Sequence, residues 1–87
     1  MNVYEIVSFN IKYYIDEFEK SRYFKENVSN MSVLNYISQI TNITEQRLKN
    51  ILSNKAKIRI EEIGRIADAL QIPIMNLVDD TKYGGTL

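Results

Sequence analysis

Two side-chain amides and two cations fall within residues 46–50: Gln46, Arg47, Lys49 and Asn50. At ~100° per residue on a helix, Gln46, Asn50 and Ser53 point directly away from the face carrying Leu48, Ile51 and Leu52. Arg47 and Lys49 flank that outer row. An amide that donates and accepts side by side can pair bidentately with an adenine edge, and Arg or Lys can read guanine or hold a phosphate. Glu45 can accept from a cytosine amine or serve only the helix start, where an acid is favoured. The base-reading candidates are therefore Glu45, Gln46, Arg47, Lys49 and Asn50. Ser32, Thr44, Ser53, Asn54, Lys55, Lys57 and Arg59 are the candidates for backbone contacts, where hydroxyls, cations and free helix-end N–H groups meet phosphates.

Other chemistry has little to work with. The 87 residues contain no His and no Cys, which removes disulfides, the usual zinc ligands and most nucleophilic or imidazole catalysis. Asp16, Glu17 and Glu19 are a solvated helix end, with neither paired-carboxylate nor metal spacing. No Gly-rich phosphate loop is present, and a single domain this small offers little room for a catalytic cleft. An enzyme is not expected, nor is a metal or cofactor. Tyr13, Tyr14 and Tyr36 read as core or half-buried residues, because a single-strand stacking platform would interleave them with Lys and Arg.

The formal net charge is zero, which taken whole argues against a nucleic-acid binder. Its distribution argues the other way. Residues 44–60 hold Arg47, Lys49, Lys55, Lys57 and Arg59 against Glu45 alone, while residues 61–87 hold five acids against Arg65 and Lys82. Phosphates respond to local potential more than to the total.

These side chains need a frame, and helical periodicity supplies one. A first helix runs from Asn2 or Val3 to about Lys20, with Val7, Ile11, Tyr14, Ile15 and Phe18 on one face and Ile6, Phe9 and Tyr13 in a second strip. Residues 20–31 extend that helix or form a short extra helical turn, followed by a loop. Ser32 caps a second helix, whose apolar stripe is Val33, Leu34, Ile37 and Ile40. Asn42 ends it in left-handed backbone, Ile43 plugs the corner, and Thr44 caps a third helix over 45–52. A fourth follows over 60–70, with Ile60, Ile63, Ile66, Ala67 and Leu70 inward and Glu61, Glu62, Arg65 and Asp68 outward. Gly64 within it signals close helix packing. Pro73 opens a short fifth helix over 73–78, whose Met75, Leu77 and Val78 close the core. No strand-like alternation or repeat occurs. The expected organisation is one all-α domain over 1–80 and a flexible tail over 81–87.

Residues 32–78 resemble the Cro/repressor-type (XRE-like) helix-turn-helix family. Ile37 and Ser38 match its apolar-then-small pair, Asn42 stands at its turn glycine, and Ile43 is the apolar plug. Leu48 and Ile51 match the inward positions of its recognition helix. The run IEEIGRIADALQIPIMNL over 60–77, with its Ile66-Ala67 pair, resembles the helices that follow. The resemblance implies a five-helix Cro/repressor-like domain with an extended N-terminal helix, its helix-turn-helix motif at about 32–54. The third helix would enter the major groove of double-stranded DNA. The chain departs from the family pattern in Asn42 for Gly, in Ser38 for the common Ala, and in about ten extra residues before Ser32.

The expected function is a sequence-specific transcriptional regulator, a repressor of phage or mobile-element type, binding DNA as a homodimer because two half-sites double the base contacts of one module. Ile6, Phe9, Tyr13, Met75 and Tyr83 are the dimer-surface candidates. The competing expectation is a protein-binding module on the same scaffold, an antitoxin, inhibitor or adaptor, favoured by the neutral charge and the apolar surface of the first helix. The N-terminus lacks the features of a signal peptide, and no run is long enough to span a membrane, so a cytoplasmic location is expected.

Overall fold

The computed structural model describes residues 2–28 and 30–81, and the expectations placed on Tyr83 and most of the tail lie outside them. Among the described residues the chain is all helical: α1 (Val3–Lys20), α2 (Arg22–Asn27), α3 (Val33–Thr41), α4 (Glu45–Leu52), α5 (Ile60–Leu70) and α6 (Met75–Val78). The expected count of five becomes six, because the short extra helical turn expected within residues 20–31 forms as a separate six-residue helix, Arg22–Asn27, followed by a loop. Ser21 separates the two helices. Its N–H closes α1 on the Phe18 carbonyl at 3.0 Å, its extended backbone (ψ 153°) breaks the spiral, and its hydroxyl accepts from the Phe24 N–H at 3.2 Å to start α2.

The helix starts follow the polar residues that precede them. Asn2 and Glu5 exchange side-chain-to-backbone bonds at the head of α1, a reciprocal cap of the Ser/Thr-x-x-Glu kind. Ser32 accepts from the Asn35 N–H and Thr44 from the Arg47 N–H, both at 3.1 Å. Each such cap stabilises its helix by about 1 kcal/mol. Asn42 ends α3 in left-handed backbone, at φ 61°. Asn30 and Asn54 also have positive φ, and so does Gln71 at the end of α5, a residue with no local compensation for that conformation.

The core is centred on deeply buried side chains from five helices, Ile11 from α1, Ile37 from α3, Leu48 from α4, Ile66 from α5 and Leu77 from α6, none more than 1% exposed. Val7, Ile15 and Phe18 extend the α1 face. Ile43 plugs the α3–α4 corner and is buried. α2 is pinned through Phe24, whose ring meets Phe18 at 5.6 Å and Tyr36 of α3 at 6.0 Å. Two polar side chains of α1 are buried against the ends of other helices. The Ser8 hydroxyl reaches the Ile51 and Leu52 carbonyls of α4 at 3.1 Å each. The Asn10 amide donates to the Leu77 and Asp79 carbonyls at the end of α6. Both satisfy helix-end carbonyls that have no partner within their own helix.

Several apolar expectations are corrected. Ile40 is 56% exposed, Ile60 83% and Met75 68%, and Val78 is also exposed, so Leu77 alone closes the core from α6. Glu62, expected outward, is buried. Glu62 lies on the buried face of α5 with Ile63, Ile66 and Ala69 and meets Arg47 there, whereas Ile60, the first residue of the helix, lies at the edge of that face. Gly64 does not mark close packing: a Cβ there would meet only the Ile74 Cδ1 atom at 3.9 Å, an ordinary contact. Of the second strip on α1, Ile6 is half-buried, while Phe9 and Tyr13 lie at the surface. No helix among the described residues is long and apolar enough to cross a membrane.

Candidate nucleic-acid interface

The outer side of α4 is positioned from behind by three joints. At its start, the left-handed Asn42 and the Thr44 cap set the angle at which the helix leaves α3. At its end, Ser8 of α1 holds the last carbonyls, and the Ser53 hydroxyl donates to the Lys49 carbonyl at 2.9 Å. In the middle, Leu48 and Ile51 are buried.

A further joint, besides those three, ties Arg47 to α5. Its guanidinium bonds Glu62 through Nε at 2.8 Å and Nη2 at 2.9 Å, and Nη2 also donates to the Lys57 carbonyl at 3.0 Å. Glu62 in turn accepts the Arg59 N–H at 2.8 Å and so caps α5 as well. Hydrogen bonding from Arg47 holds the Glu62 carboxyl below the usual carboxylate range. Burial works against this, and the Arg59 N–H and the two guanidinium charges add to it. The same bond pushes Arg47 further up. The sequence placed Arg47 on the flank of a reading face, whereas the structure ties its fork to α5. Glu45 is also tethered, accepting from the Asn35 amide at 2.8 Å, and Asn35 is held by Gln39 at 3.0 Å.

Gln46, Lys49 and Asn50 remain on the outer row. Gln46 and Lys49 are exposed and Asn50 is half-buried. The Gln46 amide donates to the Asn50 side-chain oxygen at 3.1 Å. The linked pair leaves one carbonyl oxygen and amide N–H groups facing outward, the donor–acceptor combination that an adenine edge accepts. Such a link fixes two flexible side chains in advance and lowers the ordering cost of a contact.

The candidate backbone residues divide. Ser32 and Thr44 are exposed caps that use an oxygen lone pair inward and retain a hydroxyl proton to donate. Asn54 and Lys55 are exposed on the turn leaving α4. Lys57 extends its ammonium over the Tyr4 ring of α1, 5.5 Å from the centroid, a cation–π contact. Arg59 is exposed at the head of α5. Ser53 serves the end of α4.

Ser8, Asn35 and Glu62 support this face and were not singled out in the sequence. Glu62 had a usable signal, standing three residues after the cap position Arg59, where an acid returns to the cap N–H. Ser8 and Asn10 were visible only as polar interruptions of an apolar helix. Among the described residues, no group of acidic side chains has the arrangement of a metal site. Comparison of the chain with protein-family models, curated proteins and solved structures finds no match.

Proposed function

We propose that the protein is a sequence-specific double-stranded DNA-binding regulator of the Cro/repressor (XRE-like) kind, a repressor of phage or mobile-element type acting as a homodimer. In this reading α3 and α4 are the helix-turn-helix, and α4 enters the major groove. The observation that carries it is the outer row of α4. Gln46, Lys49 and Asn50 face away from a firmly braced helix and lead directly into the basic residues 55–59. Gln46, Lys49 and Asn50 are the proposed readers, Ser32, Thr44, Asn54 and Lys55 contact phosphates, and Arg47 is the strut behind them. Asn50→Ala leaves that brace intact, because among the described residues the Asn50 side chain bonds Gln46 and no part of the brace. It should weaken binding to a selected site by about 1–3 kcal/mol and relax preference at one base position. Random-duplex selection followed by titration at two salt concentrations measures both. Unchanged affinity and preference in Asn50→Ala would remove α4 as the reader.

A second reading is favoured by the exposed apolar side chains. Val3, Tyr4, Ile60 and Val78 border a cleft of about 320 Å³ that reaches Val7 and Ile63. A protein-binding module, such as an antitoxin, inhibitor or adaptor, would use such a surface. Phosphate contacts give a steep salt dependence, so binding to random duplex DNA that is absent or insensitive to salt selects this reading.

A further inference from the structure

A cleft lies away from α4, where the end of α1, the start of α2 and the end of α5 meet. It has a volume of about 440 Å³, within the range of small-molecule sites. One side is aromatic, with Tyr13, Tyr14 and Phe18 from α1 and Tyr23 from α2, and the other is formed by the aliphatic Leu70 and Ile72 at the end of α5. Tyr13 and Tyr14 meet edge to face at 5.0 Å, and Phe18 and Tyr23 are tilted at 6.1 Å. One charged side chain lines the cleft, Glu17, and it is exposed. Glu17 forms no salt bridge among the described residues. The C-terminal end of α5, closed by Gln71, also borders the space and adds negative potential. The Ser21-capped start of the short α2 offsets part of that field.

Aromatic faces carry negative quadrupole potential, and a group of them beside a carboxylate favours a cation that is poorly hydrated and has apolar surface. A neutral apolar guest would gain nothing from Glu17, and an anion would be repelled by it. We infer that this cleft is a binding site for a small organic cation of the quaternary-ammonium class, held by the rings of Tyr13, Tyr14 and Tyr23 and by the Glu17 carboxylate. The site is independent of the DNA-binding reading, since it shares no residue with α4.

The test compares choline with neohexanol, its uncharged carbon isostere, by following the aromatic NMR resonances of the intact chain. Choline should produce saturable shifts confined to the rings of residues 13, 14, 18 and 23, with affinity about tenfold above that of neohexanol. Glu17→Gln, at an exposed position that does not threaten the fold, should remove most of that difference and leave neohexanol unchanged. Tyr23→Leu should weaken choline while circular dichroism stays native. Equal affinity for the two probes, no saturable choline shift up to tens of millimolar, shifts centred on another surface, or an unaltered response in Glu17→Gln would each overturn the assignment.

Discussion

α4 and α5 are successive amphipathic helices of 8 and 11 residues, joined across the fold by one ion pair, and they use polarity in opposite ways. α4 faces Leu48 and Ile51 inward and keeps Gln46, Lys49 and Asn50 outside. Of its two tethered polar side chains, Glu45 bonds Asn35 of α3 and Arg47 reaches across to α5. Its partner Glu62 is buried on the inner face of α5, and Ile60, two residues before it, is 83% exposed. The difference shows what a supporting helix gives up. The outer row of α4 is oriented from behind by a bidentate guanidinium–carboxylate pair, which has more directional precision than apolar contact. The helix that supplies the carboxylate loses an apolar position.

The largest effects should come from the anchors that the two helices share in kind. Leu48→Ala and Ile66→Ala each remove a side chain no more than 1% exposed, and each should destabilise by about 2–5 kcal/mol in urea unfolding. Similar losses mean that both helices are held first by the core, with the ion pair setting angle rather than existence. A loss below about 1 kcal/mol at either site would mean that its helix is carried by its polar joints instead.

A smaller effect isolates the ion pair. Glu62→Gln should lower stability at neutral pH by about 1 kcal/mol, or about 4–8 °C in Tm for a domain of this size. The folded carboxyl is held below its ordinary value, so the native state keeps its charge to lower pH than the unfolded chain, which protonates near ~4.3. The pair therefore contributes fully above that pH, and its contribution is lost as pH falls through the lower native value. Arg47 stays charged throughout. Melting curves of the wild type should lose Tm more steeply than those of Glu62→Gln below pH ~4.3, and the two should converge in strong acid. Parallel curves across that window would show that the pair is screened and contributes little.

The same contrast explains what the sequence made legible. Ser32, Thr44 and Asn42 act on backbone atoms within a few residues, so the bounds of α3 and α4 followed from local chemistry. The face of α4 followed from its periodicity because nothing long-range opposed it. The first turn of α5 obeys a partner fifteen residues away, and periodicity alone favours Ile60 over Glu62 for the inside. Arg47 was misplaced for the same reason, since an outward cation and a strut have the same sequence signature. Ser8 and Asn10 bond carbonyls 43 to 69 residues away, and only the assembled fold brings those together. The Tyr-lined cleft required α2 as a separate helix, which depends on a bifunctional Ser21.

The last and mildest perturbation tests whether α5 is only a support. Gly64 lies inside α5, where glycine costs about 1 kcal/mol relative to alanine through the freedom it has in the unfolded chain. That cost suggests that a closely packed neighbour requires glycine there. The space is open instead, since a Cβ would touch the tip of Ile74 at ordinary contact distance. Gly64→Ala should therefore stabilise by roughly 0.5–1 kcal/mol, seen as a raised urea midpoint with an unchanged slope. Its affinity for a selected duplex should stay at the wild-type value, because α5 contributes to the proposed reading face only through Glu62, more than half a turn away. A destabilised Gly64→Ala would mean that α6 presses on α5 more closely than a 3.9 Å contact implies. A stabilised variant with altered DNA affinity would mean that motion of α5, and not only its carboxylate, governs how α4 is presented.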